Sequence, residues 1–129
     1  MARTRKLQLL VIIALAALGV TVSLALQATP GPLREVRLEA RGMAFYLEGG
    51  EVPNPILEAA TGERLRLVLT NRDRGFEHDL RLPGLGKASG LLAEGARATV
   101  TVRVPETAGD VRYDCSLHAA MMAGVIRVR

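Results

Sequence analysis

From Val36 to Arg41, apolar Val36, Leu38 and Ala40 alternate with Arg37, Glu39 and Arg41, the period of a strand with one buried face. Arg64 to Asn71 opens with the same alternation, and Ala98 to Val104 carries it with β-branched residues at most positions. His78 to Leu82, Val111 to Cys115 and Val125 to Val128 are shorter stretches of the same kind. Turn-forming clusters separate them: Gly49-Gly50, Pro53-Asn54-Pro55, Thr61-Gly62, Pro83-Gly84, Glu94-Gly95 and Ala108-Gly109. Short strands at this spacing predict an all-β domain, a Greek-key sandwich or barrel. A helical turn is expected at Leu57 to Ala60 or at Ser89 to Leu92. No internal repeat or low-complexity segment is visible.

The N-terminal pattern is different. Leu7 to Leu26 is an uncharged run of 20 residues preceded by Arg3, Arg5 and Lys6. As one hydrophobic helix it would be about 30 Å long, enough to cross a hydrocarbon core. It has no polar face at helical period, which excludes a helix packed on the domain. Two readings remain for residues 1–26. A signal peptide has an apolar stretch of roughly 7–15 residues, and Ser23-Leu24-Ala25 offers a small-residue cleavage site. The run is longer than that, which favours an uncleaved anchor. Positive charge before the run, with none just after it, keeps the N-terminus in the cytoplasm. The rest of the chain is then expected to be exported, anchored at the outer face of the cytoplasmic membrane, or free in the periplasm or outside the cell if cleaved. Residues 27–33, with two prolines and a glycine, read as a linker, and 34–129 as the folded domain.

Charge adds an exclusion. The formal net charge is +4, but without Arg3, Arg5 and Lys6 there are 14 basic against 13 acidic residues. A nearly neutral domain with 3% aromatic residues does not read as a nucleic-acid binder. One cysteine and two histidines exclude an internal disulfide, a four-cysteine metal site, a binuclear copper centre and a histidine-rich copper cluster.

Those scarce residues are gathered together. Tyr113 to Gly124 (YDCSLHAAMMAG) holds the cysteine, Cys115, one histidine, His118, and two of the four methionines, Met121 and Met122. The other histidine, His78, opens a predicted strand. A thiolate, two imidazoles and a weak thioether form the ligand set of a blue-copper electron-transfer site. Two intervening residues let Cys115 and His118 converge on one ion, and a β fold can bring His78 to them. Singly, each residue has an ordinary structural use; together, at this spacing, they point to copper.

The stretch resembles the cupredoxin family of small type 1 blue copper proteins. Cys115-x2-His118 is similar to the plastocyanin and amicyanin members, and His118-x3-Met122-Ala123-Gly124 to the azurin members. Further likeness lies in Asn54-Pro55, Gly62-Glu63-Arg64-Leu65, the approach from Asn71 to His78, Pro83-Gly84-Leu85-Gly86 and Glu94-Gly95. The resemblance implies one copper ion, cycling between Cu(I) and Cu(II), held by His78, Cys115 and His118 with an axial methionine. The glycine register selects Met122, whereas amicyanin-like spacing selects Met121. The resemblance also implies that the residue after the first histidine, here Asp79, donates its backbone N–H to the cysteine sulfur. Asp79 can also accept a bond from Ser116 and tie the two ligand segments together. Tyr113 is expected to face the same side of its strand as Cys115 and to serve in packing. The His118 edge would lie in an apolar patch of Leu117, Ala119, Ala120 and Leu85 where redox protein partners dock transiently.

With four positions around the ion filled, no small-molecule substrate is expected, and the first reading is a one-electron carrier rather than an enzyme. The alternative is copper handling, storage or delivery to a terminal oxidase, with Met121 and Met122 both binding Cu(I). A catalytic copper with an open position would need Glu77 or Asp79 near the ion. A zinc site of one cysteine, two histidines and a water leaves the methionine without a use. A metal-free interaction module leaves the Cys-His-Met spacing unexplained.

Overall fold

The computed structural model describes residues 31–129. The apolar run 7–26 and most of the linker lie outside the described residues. Nine strands follow in order: β1 (Leu33–Arg41), β2 (Ala44–Leu47), β3 (Leu57–Ala59), β4 (Arg64–Asn71), β5 (Arg81–Leu82), β6 (Lys87–Ala88), β7 (Arg97–Arg103), β8 (Gly109–Asp114) and β9 (Ala123–Val128). One sheet has the order β2-β1-β4-β7, the other β3-β9-β8-β5-β6. The β1–β4 and β3–β9 pairs are parallel, and the other neighbours antiparallel. The chain crosses between the sheets after β2, β3, β4, β6 and β7, so the two sheets form a sandwich.

The two-residue period explains which faces meet. Val36, Leu38 and Ala40 of β1, Leu65, Leu67 and Leu69 of β4, and Val100 and Val102 of β7 are buried. Leu80, Leu82, Tyr113, Cys115, Ile126 and Val128 face them from the second sheet's side in one continuous core. Phe45 of β2 meets the Tyr113 ring edge-on at 5.5 Å between centroids. Among the described residues, this core lies between Val36 and Val128.

Several details differ from the sequence reading. β2 has no counterpart in it. The hairpin turn before β2 is Gly42-Met43, both at positive φ (57° and 60°), and a methionine is not a residue that announces such a turn. Leu57 to Ala60 is not helical; Leu57–Ala59 is β3, paired in parallel with β9. Ser89 to Leu92 is not helical, and Leu92 pairs with His78 in an isolated bridge. The one helical turn described is a 3-10 turn at Pro83–Leu85. Of the predicted strand 78–82 only Arg81–Leu82 joins the sheet ladder. β1 begins at Leu33, inside the stretch read as linker, and that extension pairs it with β4 from Arg64 onwards.

A candidate metal centre at one end of the sandwich

The centre is built from two segments at the end of the sandwich where β4 and β8 finish. The first is organised by Asn71, the last residue of β4, which is fully buried. Its Nδ2 donates to the carbonyls of Phe76 (2.7 Å) and Leu92 (2.8 Å), and its Oδ1 accepts from the Asp73 N–H (2.9 Å). These bonds fold residues 72–77 into a compact loop and deliver His78 into the interior. There His78 exchanges backbone hydrogen bonds with Leu92 (3.2 and 2.8 Å).

The ring of His78 is fixed by Asp73. Its Nε2 lies 2.8 Å from Asp73 Oδ2, with the imidazole fully buried. The same carboxylate accepts from the Gly42 N–H (2.5 Å) and the Met43 N–H (3.1 Å) of the β1–β2 turn. Burial pushes the Asp73 carboxyl up, but these backbone donors and His78 outweigh it and hold it below the usual aspartate range. An ionised carboxylate at Nε2 keeps the proton there and leaves the Nδ1 lone pair free, the usual arrangement behind a metal-ligating histidine.

The second segment is the β8–β9 connection. Cys115 N–H donates to Met122 O (3.1 Å) and His118 N–H to Cys115 O (3.3 Å). Met121 N–H and Met122 N–H both donate to His118 O (2.9 and 2.8 Å), a single tight coil. Asn54, in the loop before β3, secures it from outside: its Nδ2 donates to Met121 O (2.8 Å), and its Oδ1 accepts from the Phe45 N–H (3.0 Å). The coil turns Met122 inward, where it is fully buried, and leaves Met121 56% exposed.

Cys115 Sγ lies 3.8 Å from His78 Nδ1 and 3.6 Å from His118 Nδ1, and the three donor atoms lie within 4.8 Å of one another. Bonds of about 2.3 Å to sulfur and about 2.0–2.1 Å to nitrogen, at trigonal angles, would separate sulfur from nitrogen by about 3.8 Å. The donors are therefore spaced to share one ion. Their chemistry, one thiolate and two imidazoles with a thioether enclosed in the same core, fits copper. Cys115 and His78 are buried and His118 is partly exposed.

The remaining expected residues fall as follows. Asp79 is buried, and its Oδ1 accepts a 2.6 Å bond from the Ser116 backbone N–H, joining the two ligand segments. The Asp79 backbone N–H is not among the hydrogen-bond partners of the cysteine sulfur, which faces the two imidazoles. Tyr113 is fully buried, and its hydroxyl donates to Pro55 O (2.5 Å), with burial raising its pKa beyond the ordinary phenol range. Leu117 is 55% exposed, Ala120 is exposed and Ala119 half-buried. Leu85 is half-buried against the core. Glu77 is exposed.

Three contributors escaped the sequence reading. Asp73 carried no signal beyond being an acid five residues before His78. Asn54 was visible as part of a turn and of the Asn54-Pro55 likeness, but with no role assigned to its side chain. Phe76, half-exposed, sets its ring edge-on to His118 at 6.4 Å between centroids, and its nearness to His78 in sequence was the one available hint.

No protein-family model matches the chain. No curated protein matches it either. Among solved structures, a histidine-to-methionine variant of rusticyanin superposes with a TM-score of 0.60 at 20% identity, covering 78% of this chain and 80% of its own. Rusticyanin from Thiobacillus ferrooxidans gives 0.56 at 22% identity, covering 77% and 79%. Auracyanin A, a "blue" copper protein from the green thermophilic photosynthetic bacterium Chloroflexus aurantiacus, gives 0.56 at 15% identity, covering 76% of this chain and all of its own. At these identities the likeness is one of fold, and the fold of this chain is that of the cupredoxins.

Proposed function

We propose that the protein is a one-electron carrier with a single type 1 copper ion, working outside the cytoplasmic membrane. The observation that carries the reading is the convergence of Cys115 Sγ, His78 Nδ1 and His118 Nδ1 at the spacing of one trigonal ion. When bound, copper supplies the Cu(I)/Cu(II) couple. The residues of the chain hold its surroundings still. Asp73 fixes the tautomer and orientation of His78, and the 115–122 coil ties Cys115 to His118 and Met122 through the backbone. Donors that do not move on oxidation keep the reorganisation cost low. In this reading Met122, enclosed in the core, would supply the thioether donor, and Met121, exposed, would lie outside the site.

His118 is the one partly exposed imidazole, flanked by the exposed Phe76 and Leu117. It is the outlet for the electron, and Leu117, Ala119, Ala120 and Phe76 form the contact for redox protein partners, suited to brief docking. No open position is left for a small-molecule substrate, so no enzymatic step is assigned. The location rests on the basic residues followed by the apolar run 7–26, which also supplies the membrane attachment if it is retained.

The test is a visible spectrum of residues 31–129 after addition of Cu(II) and then ascorbate. An intense blue band that bleaches on reduction and returns on oxidation is expected, and its loss in Cys115→Ser ties it to the thiolate. A second reading, copper storage or delivery, is favoured by the exposed Met121 thioether next in sequence to Met122. It requires a colourless protein that binds Cu(I) stoichiometrically. A folded domain that binds no copper refutes both.

A further inference from the structure

The outer face of the β2-β1-β4-β7 sheet is divided by charge. In its β1 half, Arg37 and Arg41 are answered by Glu35, Glu39, Glu48 and Glu51. In its β4–β7 half, the strands RLRLVLTN and RATVTVR contain no acidic residue. They place Arg64, Arg66, Arg97 and Arg103 on the outer face with the exposed Thr99 and Thr101, while Val68 and Thr70 of the same face are buried. Register sets Arg64 beside Arg103 at one end and Thr70 beside Arg97 at the other. Six residues of strand separate the ends, about 20 Å. Among the described residues Arg64 and Arg97 have no carboxylate within salt-bridge distance; Arg97 donates only to the Thr70 hydroxyl (3.0 Å). Arg66 has a loose contact with Glu35 (3.7 Å), and Arg103 pairs with Glu106 at the exposed strand end. The domain as a whole is nearly neutral, so this half-face is a segregated patch and not a reflection of net charge.

We propose that this half-face is a docking surface for an anionic lipid membrane. Guanidinium groups set about the exposed Thr99 and Thr101 hydroxyls match phosphate oxygens, which arginine takes in pairs of parallel hydrogen bonds. The chain's own layout selects a membrane over an acidic protein. β1 starts at Leu33, directly beside Arg64 in the parallel ladder. Six residues, 27–32, connect that corner to the apolar run 7–26. Fully extended they span no more than about 20–22 Å. A retained run therefore holds the Arg64–Arg103 end of the face within reach of the headgroups. The centre lies past the opposite end of β4, so a domain resting on this face presents the His118 edge beside the bilayer and not into it. The inference shares with the proposed function the placement near a membrane, and does not depend on the copper site.

The test uses residues 31–129 without the apolar run, in sedimentation with vesicles of pure phosphatidylcholine or of phosphatidylcholine with phosphatidylglycerol. Binding only to the phosphatidylglycerol vesicles, lost at high salt, is expected. At about fivefold in affinity per surface cation, Arg64→Gln with Arg97→Gln weakens binding about 25-fold. The control pair Arg127→Gln with Arg129→Gln removes the same charge from the other side of the molecule and changes it little. Equal loss in both pairs overturns the face assignment, leaving only net charge. Binding to poly-glutamate but not to vesicles overturns it in favour of an acidic protein, and no binding to either overturns it outright. Thermal unfolding of each variant shows that the fold is retained. A blue spectrum together with no vesicle binding refutes this inference while leaving the carrier reading in place.

Discussion

Replacing Asp73 by asparagine removes one negative charge from behind His78 and nearly preserves its shape. The carboxylate oxygen is 2.8 Å from Nε2. Adding the width of the imidazole and a metal–nitrogen bond of about 2.0 Å puts the charge about 7 Å from the shared point of the three donors. Two unit charges at about 7 Å interact by about 2.4 kcal/mol at an effective dielectric of about 20, and by about 0.6 kcal/mol in bulk water. For a one-electron couple these correspond to about 100 mV and about 25 mV. The Asp73 side chain is only 14% exposed, which places the expectation toward the upper figure. The sign follows from charge: a nearby anion favours the more positive oxidised ion, so its removal raises the potential. Cyclic voltammetry of copper-loaded wild type and Asp73→Asn reads the shift directly. The metal-free protein supplies an independent readout, because nitrogen NMR of His78 should show the proton on Nε2 in the wild type and a mixture of tautomers in the variant. The amide also serves the Gly42, Met43 and His78 donors less well than a carboxylate, costing about 1–3 kcal/mol of stability. A folded variant with an unchanged or lower potential and an unchanged His78 tautomer would remove Asp73 from the account of the site.

Gly124 lies opposite Tyr113 in the β8–β9 ladder, and a Cβ there would press into the phenol ring and hydroxyl. Gly124→Ala should therefore cost about 1–3 kcal/mol, read from the urea midpoint, and a midpoint equal to the wild type would refute the packing argument. Met122→Leu is expected to shift the reduction potential and Met121→Leu to leave it nearly unchanged; the reverse outcome makes Met121 the axial ligand. Glu63 is held below the usual glutamate range, chiefly by its hydrogen bond from Arg34, against burial, with the Ala60 N–H and the Arg34 charge adding to the lowering. A carboxyl whose folded pKa is depressed adds stability that is present above its unfolded pKa, about 4.3, and is lost as pH falls through the lower folded value. Urea unfolding between pH 6 and pH 3 should show that loss, and Glu63→Gln should flatten it; an unaltered pH slope would reject the assignment.

The candidate donor cluster was legible because it is local and scarce. Cys115, His118 and the two methionines lie within one loop, and His78 is the only other histidine in the chain. The long strands were legible for a similar reason: β1, β7 and the first half of β4 each bury one face against a single core, and that imposes a two-residue period. Short elements gave no such period. β3 has three residues and owes its existence to parallel pairing with β9, a contact 69 positions away that no local window contains. β2 follows a turn whose second residue is a methionine at φ 60°, held there by the Asp73 carboxylate accepting from its N–H. The strand and the ligand support thus share one cause, and neither was visible without the other.

The choice between Met121 and Met122 shows the same limit at the scale of one residue. Spacing alone admits both. The structure separates them through the backbone: His118 O accepts from both methionine N–H groups, and Asn54 takes the Met121 carbonyl from outside. In this coil Met122 is buried in the core and Met121 is exposed. Asn54 sits at φ 48°, a left-handed conformation that asparagine tolerates better than most residues. It acts in the fold as a clamp on the coil that buries Met122 and leaves Met121 exposed.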